Sequence, residues 1–97
     1  MITILCKRVV FYSQNDESAF FDFLGRIEAV ESIVGEGDAI ILNVIDKPSD
    51  ESLRDLIALF HRYQIPEMTQ LAQFLKKTNK KWFSDDNAYW YRQVFEN

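Results

Sequence analysis

Residues Asp38 to Asp46, DAIILNVID, decide how this chain folds. Ile40, Ile41, Leu42, Val44 and Ile45 are large aliphatics, interrupted only by Asn43. The run is too short to cross a bilayer and rich in β-branched residues. Turn residues fence it on both sides, Gly35-Glu36-Gly37 before it and Lys47-Pro48-Ser49 after it. A short apolar run bounded in this way predicts a central strand with both faces covered.

Immediately upstream, Glu28 to Val34 is shorter and more polar. Joined to the central run through glycines, it predicts the first arm of a hairpin, with Glu28 and Glu31 on an exposed or half-exposed edge. Earlier still, Ile2 to Ser13 reads as an opening strand. Ile2, Ile4 and Cys6 fall on one face, Thr3, Leu5 and Lys7 on the other, and Val9-Val10-Phe11-Tyr12 prolongs the β-favouring run. Between these strands Ser13-Gln14-Asn15-Asp16 supplies helix-cap chemistry, and Phe20, Phe23, Leu24 and Ile27 recur at helical spacing. Gly25 marks the last turn of that helix, and Phe21 points off its apolar stripe.

Downstream, Ser49 caps a second helix with Asp50 and Glu51 in its first turn and Leu53, Leu56, Ile57 and Phe60 as its stripe, ending near Pro66. Met68, Leu71, Ala72 and Leu75 predict a short third helix closed by Lys76-Lys77. The segment WFSDDNAYWYRQVF, Trp82 to Phe95, then reads as a strand. Its alternative is a helix capped by Ser84 or Asp85 with Tyr91, Val94 and Phe95 on one face. The expected fold is therefore α+β, a single domain over residues 1–97. About four mostly antiparallel strands would carry two or three helices on one face, in the ferredoxin-like order β-α-β-β-α-(α)-β.

Composition narrows the function classes. Of the 97 residues, 47% are hydrophobic and 14% aromatic, enough for a packed core and unlike a disordered chain. No run approaches a membrane span, the N-terminal residues carry no signal-peptide pattern, and one cysteine cannot form an internal disulfide; a cytoplasmic protein is expected. Net charge is −4, yet residues 16–55 carry −8 and residues 68–97 carry +2. An acidic body disfavours nucleic acid and suits a basic protein partner.

No motif is specific enough to name a family. His61 is the only histidine, and Cys6 the only cysteine, so no tetrahedral zinc set exists within the chain and no cofactor is expected. Gly35-Glu36-Gly37 lacks the third glycine and the following helix of a phosphate loop. Asp85-Asp86-Asn87 lacks the spacing of a calcium loop, and Lys76-Lys77 with Lys80-Lys81 reads as a solvated helix end and loop. The densest signal is aromatic: Trp82, Phe83, Tyr89, Trp90, Tyr91 and Phe95 within 14 residues. These either complete the core or, with Arg92, form the kind of surface at which binding energy concentrates.

Two expectations follow. The first is a non-catalytic interaction protein, a homodimer or an acidic inhibitor of the immunity or antitoxin type. The inhibitor would offer Asp16, Glu17, Glu28, Glu31, Asp50, Glu51 and Asp55 to a basic protein. The second is a small enzyme or ligand-binding domain with a cleft near His61 and the aromatic C-terminal segment.

Overall fold

A computed structural model describes residues 1–78 and 80–96; Asn79, in the predicted link between the third helix and the tail, lies outside them. The elements are β1 (Ile2–Lys7), α1 (Gln14–Arg26), β2 (Val30–Glu36), β3 (Ala39–Val44) and α2 (Asp50–Arg62). A 3₁₀ turn (Met68–Ala72) then runs directly into α3 (Gln73–Thr78), and α4 (Tyr91–Phe95) ends the chain. The sheet has three strands in the order β1-β3-β2, antiparallel throughout. The class is α+β. Among the described residues no fourth strand is found, and with it the full ferredoxin-like order is absent there.

The quoted run is the central strand, but only one of its faces is covered. Leu42 and Val44 are fully buried beneath α1 and α2, joined there by Ile2, Ile4 and Cys6 from β1. Ala39, Ile41 and Asn43 alternate onto the opposite face and stay half-exposed. Asn43 explains why: a continuous apolar run would have suited two covered faces, and the one polar residue marks the face left to water.

Both caps on the long helices form as expected. Ser13 Oγ accepts from Asp16 N–H at 3.1 Å, and Ser49 Oγ accepts from Ser52 N–H at 3.1 Å. Gly25 sits in the last turn of α1, and Phe21, 36% exposed, leans on Phe11 and Phe20. Helix α2 buries Leu59 as well as the expected Leu53, Leu56, Ile57 and Phe60. Leu59 falls on the flank of α2 shared by Ser52, which accepts from Ala29 N–H, and Asp55, which faces Ala19 and Phe23 of α1, whereas the C-terminal tail packs on the flank of Asp50, Arg54 and His61.

β1 is shorter than expected. The strand stops at Lys7, opposite Ala39; Arg8 N–H still donates to Asp38 C=O at 3.0 Å in the hairpin turn, and Arg8, with φ +54°, then turns the chain away. Val9 and Phe11 then pack inward beside the core while Val10 and Tyr12 face solvent. The hairpin itself turns over two residues, Gly37 (φ +63°) and Asp38, with the positive φ at the first position that suits glycine. A bulge at Glu31 shifts the register, so Val30 and Ile33 share the core face while Ser32 and Val34 share the open one.

The missing fourth strand has a specific cause. The outer edge of β1, where it would have paired, is occupied by side chains from the segment after α2. Gln70 Oε1 accepts from Leu5 N–H at 2.9 Å, and Gln70 Nε2 donates to Leu5 C=O at 2.7 Å. Glu67 Oε1 accepts from Lys7 N–H at 2.7 Å. A 3₁₀ turn rises about 6 Å over three residues with i and i+3 eclipsed, close to the ~6.8 Å between alternate residues of a strand. The turn thus delivers Glu67 and Gln70 in step with Lys7 and Leu5. Buried Met68, Leu71 and Phe74 recur every third residue in accord.

The tail folds as turns and a helix instead. Asn87 N–H donates to Asp85 Oδ1 at 2.9 Å and Ala88 N–H to Asp85 C=O at 3.0 Å, reversing the chain. Helix α4 then starts after Trp90, later than the Ser84 or Asp85 cap considered above. With β1's edge already satisfied, the aromatic residues gain more by packing on α2 and on each other.

Candidate functional site

The six tail residues singled out in the sequence divide between core and surface. Phe83 is fully buried and meets Phe95 edge-on at 5.1 Å. Trp82 lies half-buried under the Arg54 guanidinium, 4.2 Å from its ring centroid, and meets Trp90 at 5.9 Å. Trp90 is tied inward, its indole N–H donating to Phe83 C=O at 2.8 Å. Tyr91 is half-buried against Phe95, whereas Tyr89 (56% exposed) and Arg92 face solvent. Much of the cluster therefore clamps the tail onto α2. Lys80 reinforces the clamp by an ion pair to Asp50, whose carboxyl is held below its ordinary range chiefly by that bond and further by the nearby Trp82 indole. The indole N–H is itself buried without a well-formed hydrogen bond.

The seven acidic residues do not form one surface. β1 and β3 run antiparallel, so α1 and α2, which follow them, begin at opposite ends of the sheet. Asp16 and Glu17 lie at one end. Glu28, Glu31, Asp50 and Glu51 lie at the other, with Asp55 further along α2. Asp16 is turned into local structure, accepting from Tyr12 N–H at 2.9 Å. Of the four clustered lysines, Lys80 pairs with Asp50 and Lys77 with Asp46 at 3.9 Å.

His61 is exposed at the end of α2 and stacks edge-on with Tyr89 at 4.8 Å. Among the described residues no carboxylate or nucleophile is bonded to it. The Cys6 thiol is fully buried and pushed up to about 12 by burial and, secondarily, by the Glu67 charge; it stays protonated and unreactive at neutral pH. No three His, Cys, Asp or Glu side chains among the described residues converge as metal ligands. A shallow polar cleft is lined by Arg8, Tyr12, Asp16, Arg62 and Gln64. Two of its residues, Arg8 and Gln64, are the non-glycine residues with positive φ among those described.

The sequence reading passed over the open face of the sheet. Three cross-strand rows lie on it. Thr3, Asn43 and Ser32 form a polar row: Thr3 Oγ1 donates to Asn43 Oδ1 at 2.9 Å, and Asn43 Nδ2 donates to Ser32 Oγ at 2.7 Å. Leu5, Ile41 and Val34 form an apolar row, with Val34 47% exposed. Lys7, Ala39 and Glu36 form the third, placing opposite charges on the outer strands. Leu5, Ile41 and Val34 stand outside the packed core, Leu5 and Ile41 half-exposed and Val34 the most exposed of the three. The signal was present in the alternation Thr3, Leu5, Lys7 and in the register that the Gly37 turn imposes on the hairpin.

No helix among the described residues is long and apolar enough to cross a membrane. Compared with known families, curated proteins and solved structures, the chain matches none.

Proposed function

We propose that this is a non-catalytic interaction domain that works by binding protein through the open face of its sheet. One observation carries the reading: a contiguous apolar row, Leu5-Ile41-Val34, crosses all three strands on the face opposite the packed core, with Val34 47% exposed. An antiparallel sheet can tolerate one solvated face, but such a face is ordinarily polar. Three aliphatics in line, flanked by a hydrogen-bonded polar row and a charged row, have the apolar centre and polar rim of a contact surface. The acidic-inhibitor version draws less support, because its acids fall at two ends of the molecule and two of them are engaged within the chain. The enzyme reading draws less as well, since His61 has Tyr89 beside it and, among the described residues, no acid or base bonded to it.

The test is mass in an extract of source cells chemically cross-linked before lysis, so that weak complexes survive dilution, for the wild type and for Ile41→Lys, which plants a charge at the centre of the face. The wild type should run well above the 11.4 kDa of the chain, and the variant should fall to monomer size while keeping its circular dichroism. A wild type already at monomer mass would overturn the proposal.

A further inference from the structure

We infer that the partner for this face is a second copy of the same chain, stacked sheet to sheet about a twofold axis parallel to β3. The inference rests on the reading above and deepens it. A rotation about that axis keeps each position along the strand and exchanges the two outer strands. Lys7 on β1 of one copy is then brought over Glu36 on β2 of its partner, and Glu36 over Lys7. Leu5 meets Val34, Ile41 meets Ile41, Thr3 meets Ser32, and Asn43 meets Asn43. Every row meets its own kind, and the only two charges on the three rows become two ion pairs.

The other twofold direction in the plane, across the strands, lacks this property. It would set Lys7 over Thr3 and Glu36 over Ser32, leaving both charges without opposites. Within the chain, no ion pair among the described residues engages either Lys7 or Glu36. Both are exposed. Facing sheets prefer a relative rotation near −30°, which displaces these corner residues by only a few ångströms, within the reach of a lysine and a glutamate. Isologous contacts of this kind close at two copies.

Size sets the strength. Three strands about 4.8 Å apart and three rows about 6.8 Å apart make a footprint of roughly 14 by 20 Å. That is well below the ~800 Å² per partner of a standard interface, so the dimer is a weak, concentration-dependent one.

Analytical ultracentrifugation of the purified full chain, from micromolar to millimolar concentration, gives the test. Wild type should pass from monomer to dimer over that range. Lys7→Glu puts two acids on the face and Glu36→Lys puts two bases there; each alone should weaken the dimer by about tenfold or more. Mixing the two single variants should restore association between them. The double exchange Lys7→Glu/Glu36→Lys should return self-association to near the wild-type level. Variants that dimerise as the wild type does, or a mixture that fails to associate, would overturn the twofold arrangement. A purified wild type that stays monomeric at all concentrations would overturn self-docking. In that case a persistent larger mass in cell extract would leave the interaction reading standing with a different protein as partner, and monomer mass there too would remove both.

Discussion

The sealing of β1 by Gln70 can be tested with one substitution whose effect should depend on pH. Gln70 uses both ends of its amide, accepting from Leu5 N–H and donating to Leu5 C=O. Gln70→Glu keeps the shape and the acceptor but turns the donor into an oxygen facing the carbonyl. One hydrogen bond is lost and a repulsive contact replaces it in a half-buried setting, a cost of about 2 kcal/mol. Protonation restores an O–H donor, so the new carboxyl should have a folded-state pKa raised above its unfolded value of about 4.3, by about 1.5 units for that cost. The sign follows: a raised folded pKa gives stability that is fully present below pH ~4 and lost as pH rises through roughly 6. Urea unfolding followed by the fluorescence of Trp82 and Trp90 should find the variant close to wild type near pH 4. At pH 7 it should be about 2 kcal/mol weaker, or some 8–16 °C in Tm for a chain of this size. Asp46 and Asp50, whose pKa values are depressed, cancel in the difference because both proteins carry them. A deficit that stays constant from pH 4 to 7, or no deficit at all, would show that Gln70 does not hold the edge.

Two further outcomes concern single residues. Gln64 occupies a left-handed position (φ +53°) just past α2, where Ile65 N–H donates to Phe60 C=O at 2.9 Å, the six-to-one bond of a Schellman cap; Gln64→Gly should raise stability by about 0.5–1 kcal/mol in thermal unfolding, and a loss would refute the strain. Burial holds the Cys6 thiol protonated to about pH 12 when folded, while the unfolded thiol ionises near 9, so wild type should lose about 1.4 kcal/mol per pH unit above 9 from this group. Cys6→Ala removes that contribution, and equal slopes for the two proteins between pH 9 and 11 would contradict it.

How much was legible beforehand follows from the range of the interactions. Both long helices announce themselves locally, through Ser13 and Ser49 as caps and through apolar residues at helical spacing, and the hairpin is visible in Gly37. The end of β1 was not legible, because it falls where β3 gives way to the hairpin turn and Arg8 leads the chain away. The tail misled for a related reason. Tyr89, Trp90, Tyr91 and Val94 favour strands wherever an edge is free, but the edge was taken by Gln70, 65 residues away from Leu5 in the chain. Glutamine and glutamate on a short helix carry no visible sign of such a role. Of the surface, the tail cluster was found by composition and proved largely internal at Phe83 and Trp90. The open face was overlooked because its apolar residues were read as evidence of burial.

The two edges of the sheet are chemically unequal, and this limits how the molecule can grow. Open-ended fibres by strand addition need a head and a tail, one free edge accepting the opposite edge of the next molecule. Here Glu67 and Gln70 have closed the head over Lys7 and Leu5, while no hydrogen bond from another described segment closes the outer edge of β2. Any pairing through edges must then be β2 with β2, which ends at two molecules. A pair of side chains one 3₁₀ turn apart thereby acts as a chain terminator for polymerisation, at a site far from any strand signal in the sequence.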